Sequence, residues 1–119
     1  MNFLDLTLRL EWVAVAVAAL VFYAMAGASW WLFAVLVLAP DLSILGYMAG
    51  PRVGAVAYNT LHILVLPVLL ALFGSVFDNA LATSVALIWI AHIAIDRALG
   101  YGLKLSSSFQ DTHLGRIGG

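Results

Sequence analysis

Four apolar stretches, at about residues 11–28, 29–50, 55–77 and 80–99, leave this chain little choice of fold. Each is long enough to cross a hydrocarbon core about 30 Å thick as a helix of about 20 residues. Of the 119 residues, 65% are hydrophobic and 9% charged, and the mean hydropathy is +1.09. A soluble domain of this size keeps much of its surface in water and has nowhere to hide so much apolar area. The bilayer is therefore expected to act as solvent. The expected architecture is all-α: one membrane domain over 1–119, an integral bundle of four transmembrane helices with the second broken or kinked at Pro40, and a cytoplasmic tail at 100–119.

The basic residues orient that bundle. Arg9 precedes the first stretch, Arg52 lies between the second and third, and Arg97, Lys104 and Arg116 sit at or beyond the end of the fourth. An even number of crossings puts all of them on one face, and cytoplasmic loops are the ones that collect Lys and Arg. Both termini are thus expected in the cytoplasm, with the lipid bilayer as the main partner. A run ending in Ala26-Gly27-Ala28 imitates a leader cleavage site, but Asp5 and Glu11 spoil a positive leader, so a retained helix is expected. The net charge of −1 without a basic run argues against nucleic acid. The absence of Cys excludes disulfides, thiolate metal sites and a Cys nucleophile. No base accompanies Ser106, Ser107 or Ser108, and Gly115 and Gly118 follow no strand, so neither a Ser nucleophile nor a nucleotide cofactor is expected.

Punctuation within the stretches is informative. Residues 2–10 alternate Leu with polar groups and read as an interfacial lead-in. Ala14 and Ala18 have the spacing that lets helices approach closely, and Trp12, Trp30 and Trp31 read as interface anchors. Pro40 removes a helix hydrogen bond, and Asp41 after it is placed to cap a restarted helix. Residues 50–54 form a turn by composition, and Pro67 is a second kink.

Against this apolar background, ionisable groups at membrane depth are costly and mark candidate sites. At about 1.5 Å per residue, His62 lies roughly 10 Å from the cytoplasmic start of its helix and His92 roughly 10 Å from the cytoplasmic end of its own, at matching height. His92 and Asp96 share a helix face, as do Tyr58 and His62, with Asn59 beside them. Asp41 and Glu11 offer acids from the other helices, while Asp111 and His113 can fold over the mouth. Three readings stay open. Mixed His and Asp donors suit a divalent metal such as Zn, Fe or Mn, held by His62, His92, Asp96, Asp41 and His113. The same groups suit a proton or ion relay through a small transporter acting as a homo-oligomer. They also suit hydrogen-bonding glue between helices. A bis-His haem between His62 and His92 is a further alternative. Arg52, Lys104 and Arg116, with Arg97, form a cationic rim suited to anionic headgroups or to a phosphate-bearing substrate, for which Tyr58 and Asn59 are added binding candidates.

Two blocks carry a family resemblance. One runs Ala39-Pro40-Asp41-Leu42-Ser43 through Gly46-Tyr47, Gly50-Pro51-Arg52-Val53-Gly54 and Tyr58-Asn59 to His62. The other joins His92 to Asp96-Arg97-Ala98-Leu99-Gly100-Tyr101-Gly102-Leu103-Lys104 and Asp111-Thr112-His113-Leu114-Gly115-Arg116-Ile117-Gly118. Together they resemble the small bacterial membrane family catalogued as domain of unknown function 4260. That resemblance implies a four-helix protein of the bacterial inner membrane, and no activity. Pro40-Asp41 and the membrane-edge histidines are also similar to membrane-bound metal-dependent hydrolases. This likeness implies metal-activated water, with a residual acid among Asp41, Asp96 and Asp111 as the catalytic base.

Overall fold

Helix α1 (Phe3–Ala26) begins well before the predicted span, because Asn2 and Asp5 form a reciprocal capping box. Its 24 residues extend about 36 Å, longer than the hydrocarbon core, so the expected lead-in is its polar first turns. The computed structural model describes residues 2–117; Met1 and residues 118–119, the end of the expected tail, lie outside the described residues. Gly27 closes α1 at φ 70°, a left-handed backbone that glycine adopts without a Cβ clash. Ala16, Ala19 and Tyr23 form its buried face, so Ala14 and Ala18 point outward instead of making the close contact expected of them.

The second span breaks at Pro40 as predicted. Helix α2 (Trp30–Leu36) starts from a Ser29 cap and stops, and the chain continues as a 3-10 helix (Ala39–Ala49) with Pro40 in its first turn. A 3-10 helix rises about 2.0 Å per residue, so the 20-residue segment Trp30–Ala49 still crosses the core. Tyr23 ties α1 to α2: its hydroxyl donates to the Ser29 carbonyl, and its ring meets Trp30 and Phe33 at 4.9 and 5.3 Å.

Residues 50–54 are not a free turn. Gly50 takes φ 112°, and Pro51 opens α3 (Pro51–His62), where a missing N–H costs nothing. The third span then interrupts at Ile63, whose extended backbone separates α3 from α4 (Val65–Val76). Pro67 explains the position, since its ring disfavours a helical carbonyl four residues earlier, at Ile63. The carbonyls freed by the break find side-chain donors on the last helix: Trp89 Nε1 reaches the Leu61 carbonyl at 2.7 Å and Arg97 reaches that of His62 at 3.1 Å.

Helix α5 (Ala80–Leu99) matches its predicted span and is the axis of the bundle. It is 39% buried across its apolar window, against 11–17% for the others. It packs on α1, α2 and α4, while the 3-10 helix packs on α3. The outward residues are large and apolar, including Leu69, Leu72, Val76 and Leu81, as lipid contact requires.

The tail is a docked structure, not a loose end. Strands β1 (Asp111–Thr112) and β2 (Gly115–Arg116) pair antiparallel, and Lys104 bridges Thr112. Asn59 holds it to the bundle: its Nδ2 donates to the Lys104 carbonyl at 2.8 Å and its Oδ1 accepts from the Lys104 N–H at 2.6 Å. Two such bonds contribute about 2 kcal/mol, so Asn59→Leu is expected to raise amide exchange across 101–117 by about 30-fold. Unchanged protection in that segment would show that the tail is held by other contacts.

Candidate metal centre

Each break in the bundle delivers one side chain to a common point. Asp41 comes from the first turn of the 3-10 helix after Pro40, His62 from the last turn of α3 before the Ile63 break, and His92 and Asp96 from one face of α5. The two Nε2 atoms are 3.1 Å apart, and each is 3.1 Å from Asp41 Oδ1. Asp96 Oδ2 stands 3.3 Å from His92 Nε2 and 3.7 Å from His62 Nε2. One ligand atom from each of the four residues thus lies within 4.8 Å of all the others. Ligands bonded to a tetrahedral ion at about 2.0–2.1 Å stand about 3.3 Å apart, close to these spacings.

Proton bookkeeping sharpens the geometry. His62 Nδ1 lies 2.8 Å from the Tyr58 carbonyl and must donate to it, so in the neutral ring Nε2 presents a lone pair inward. The Val37 carbonyl, which Pro40 has no N–H to satisfy, lies on the His92 side of the group. A second-layer carbonyl on the far nitrogen is how metal-binding histidines are aimed. With the His62 ring aimed this way and His92 in the same tautomer, two lone pairs and two carboxylates would converge without a donor among them, an arrangement that needs either a cation or added protons. The histidines are buried, while the Asp41 side chain is 37% exposed and leaves one side of the group open.

The rings are further fixed by stacking. Tyr58 lies flat on His62, with centroids 3.7 Å apart and planes 7° from parallel. Arg97 holds the His62 carbonyl and sits 5.2 Å over the Trp12 ring. The relation of His62 to His92 is not that of axial haem ligands. Trans ligands on iron would stand about 4 Å apart with a porphyrin between them, whereas these atoms are 3.1 Å apart, the spacing of neighbours on one small ion.

Several sequence candidates lie elsewhere. His113 is outside the group, because its Nδ1 accepts the Leu103 N–H at 2.7 Å; burial pushes its imidazole below the usual range. Asp111 and Arg116 pair with each other at 2.6 Å within the hairpin. The Ser107 hydroxyl, with Arg116, holds the Asp111 carboxyl below the usual carboxylate range. Asn59 is engaged by the Lys104 backbone, and the Tyr58 ring is buried against His62. The Lys104 amine sits between the Tyr58 and Phe109 rings, 4.8 and 3.9 Å from their centroids, and burial pushes it below the usual range. Arg52 is exposed at the start of α3, and Glu11 is exposed on α1, away from the group. Asp41 does not cap the 3-10 helix; its carboxylate turns to the imidazoles.

The sequence reading missed the supporting layer. Trp89 was absent from it, although an indole on the polar side of a helix needs a buried acceptor. Val37 carried no signal at all, since only the break at Pro40 frees its carbonyl.

Comparison with curated proteins and with solved structures gives no match. A family model described as "Domain of unknown function (DUF4260)" matches residues 5–117, which takes in all four convergent residues and the docked hairpin. The chain therefore belongs to the DUF4260 family.

Proposed function

We propose that Asp41, His62, His92 and Asp96 bind one divalent transition-metal ion of the Zn, Fe or Mn class, and that the protein is a metal-dependent hydrolase of a lipid-borne ester or phosphoester. The observation that carries the proposal is the convergence of four acceptor atoms at the spacing of a tetrahedron around an ion. Nitrogen and carboxylate donors without thiolate favour these metals over soft ones. The relay alternative is less well supported. Between His92 and Ser84 on α5 lie about 12 Å of helix whose buried residues, Ala86, Ile88 and Ala91, are apolar.

The metal would supply a polarised water of lowered pKa. The chain's own residues divide the remaining work. His62 and His92 present their Nε2 nitrogens, that of His62 fixed from behind by the Tyr58 carbonyl. Asp41, the most exposed of the four, borders the open side where a substrate group would enter. Asp96 is the looser member of the group, its Oδ2 3.7 Å from His62 Nε2 where Asp41 Oδ1 is 3.1 Å away, and its second carboxylate oxygen would take the proton from the attacking water. All five basic residues belong to segments at the same end as the centre, so we place that end, with both termini, at the cytoplasmic face of a bacterial inner membrane.

Protein purified without chelator is expected to carry near one equivalent of Zn, Fe or Mn by elemental analysis. It is also expected to cleave a lipid phosphoester or ester at a rate that Asp96→Asn lowers by about 100-fold or more. Protein that stays metal-free when these ions are supplied would remove the proposal. Bound metal without any cleavage would leave a metal-binding membrane protein and remove the hydrolase.

A further inference from the structure

A second polar feature lies on the other side of the α5 terminus. Asp5, Leu8, Arg9 and Trp12 of α1 face Arg97 and Gly100 of α5 and His113 and Leu114 of the hairpin across a cavity of about 180 Å³. Three donor groups line it. Among the described residues neither Arg9 nor Arg97 forms an ion pair with a carboxylate. Arg97 is already held in place by the His62 carbonyl at 3.1 Å and the Trp12 ring at 5.2 Å, which leaves most of its five N–H donors for another acceptor. Arg9 lies against Gly100; a Cβ there would come within 2.5 Å of its guanidinium, so a side chain would displace it. His113 accepts the Leu103 N–H on Nδ1, which puts the proton of the neutral ring on Nε2 and makes it a donor. The one acid at the cavity, Asp5, has its carboxylate 3.4 Å from the Asn2 N–H in the helix cap.

We propose that this cavity binds a phosphate oxyanion, that of an anionic lipid headgroup, between the Arg9 and Arg97 guanidiniums with His113 as a third donor. Paired guanidiniums match a phosphate's oxygens by parallel N–H bonds, which a single lysine does not. The lining of Leu8, Trp12 and Leu114 gives the site an apolar wall suited to the start of an acyl chain. The volume is below the roughly 300–1,000 Å³ of sites that enclose a whole small molecule, which fits a headgroup better than a soluble metabolite. The site contains none of the four metal candidates and stands or falls independently of the hydrolase.

Full-length protein in detergent, stripped of metal, should be titrated with dioctanoyl phosphatidylglycerol, with dioctanoylglycerol and with inorganic phosphate, and bound ligand read by native mass spectrometry. The phospholipid is expected to bind and the phosphate-free glyceride not to. Arg9→Gln and His113→Phe should each weaken phospholipid binding about tenfold while the thermal transition persists, and Arg9→Lys should recover only part of it. Inorganic phosphate binding as tightly as the lipid, and lost in the same variants, would support the oxyanion site with free phosphate as its source. Equal binding of the glyceride, or phospholipid binding unaltered in both variants, would overturn the proposal.

Discussion

Removing one imidazole from the centre is expected to abolish metal retention, and neutralising one carboxylate to shift stability in opposite directions with and without metal. Zinc sites with four protein ligands bind with about 10–16 kcal/mol, so the loss of one ligand of four removes roughly 3 kcal/mol, about 100-fold or more in affinity. His62→Ala and His92→Ala should both show this in competition with a chromogenic chelator. The more discriminating variant is Asp96→Asn, which keeps shape and neutralises one of the two carboxylates of the group. With both rings neutral, the metal-free protein has acceptors facing acceptors across 3.1–3.3 Å, so lowering that repulsion should raise its melting temperature. In metal-loaded protein the same change should lower it. A hydrogen-bonding glue predicts a drop in both states, which would sink the metal assignment.

Much of this centre was legible because charge at membrane depth is rare. In a chain this apolar, His62, His92, Asp96 and Asp41 stood out by cost alone, and helical rise put the two imidazoles at one height. The spans followed from hydropathy, and the α5 limits were read directly. The errors came from local chemistry. Residues 2–10 alternate Leu with polar groups, which hides a helix; the Asn2–Asp5 capping box decides it. Pro51 resembled a turn residue but sits at the one helix position that tolerates it. His113, about two-thirds of the way through a Gly-rich tail, was expected at the centre because the tail can fold over its mouth. Its position is set instead by Asn59 clasping the Lys104 peptide, a long-range contact with no periodic signature. The relation between Arg97 and His62 was equally hidden, because it exists only where Pro67 breaks the third span and leaves a carbonyl free.

Gly54→Ala is expected to destabilise the protein by about 1–3 kcal/mol and to weaken metal binding about tenfold, although it changes no ligand. Inside a helix, Ala is favoured over Gly by about 0.5–1 kcal/mol, so on backbone grounds alone the substitution should stabilise α3. The packing opposes it. Gly54 is buried under the Tyr47 ring, and an added Cβ would overlap Cγ, Cδ1 and Cδ2 of that ring. The neighbouring contact is also close: a Cβ on Gly46 would meet the Ala57 Cβ at 2.9 Å and the Gly54 Cα at 3.3 Å. These small residues let the 3-10 helix lie directly on α3, as close helix approach in a bilayer requires. Asp41 rides on the first of these elements and His62 on the second, so their 3.1 Å contact depends on that approach. Pushing the helices apart by even a few tenths of an ångström moves Asp41 relative to the imidazoles. Tyr47→Ala removes the obstruction, so in the double variant Gly54→Ala should cost much less, a coupling of about 1 kcal/mol or more. A melting temperature raised by Gly54→Ala alone would show that the propensity gain wins, and that the 3-10 helix is not seated on α3 in the way that brings Asp41 to the histidines.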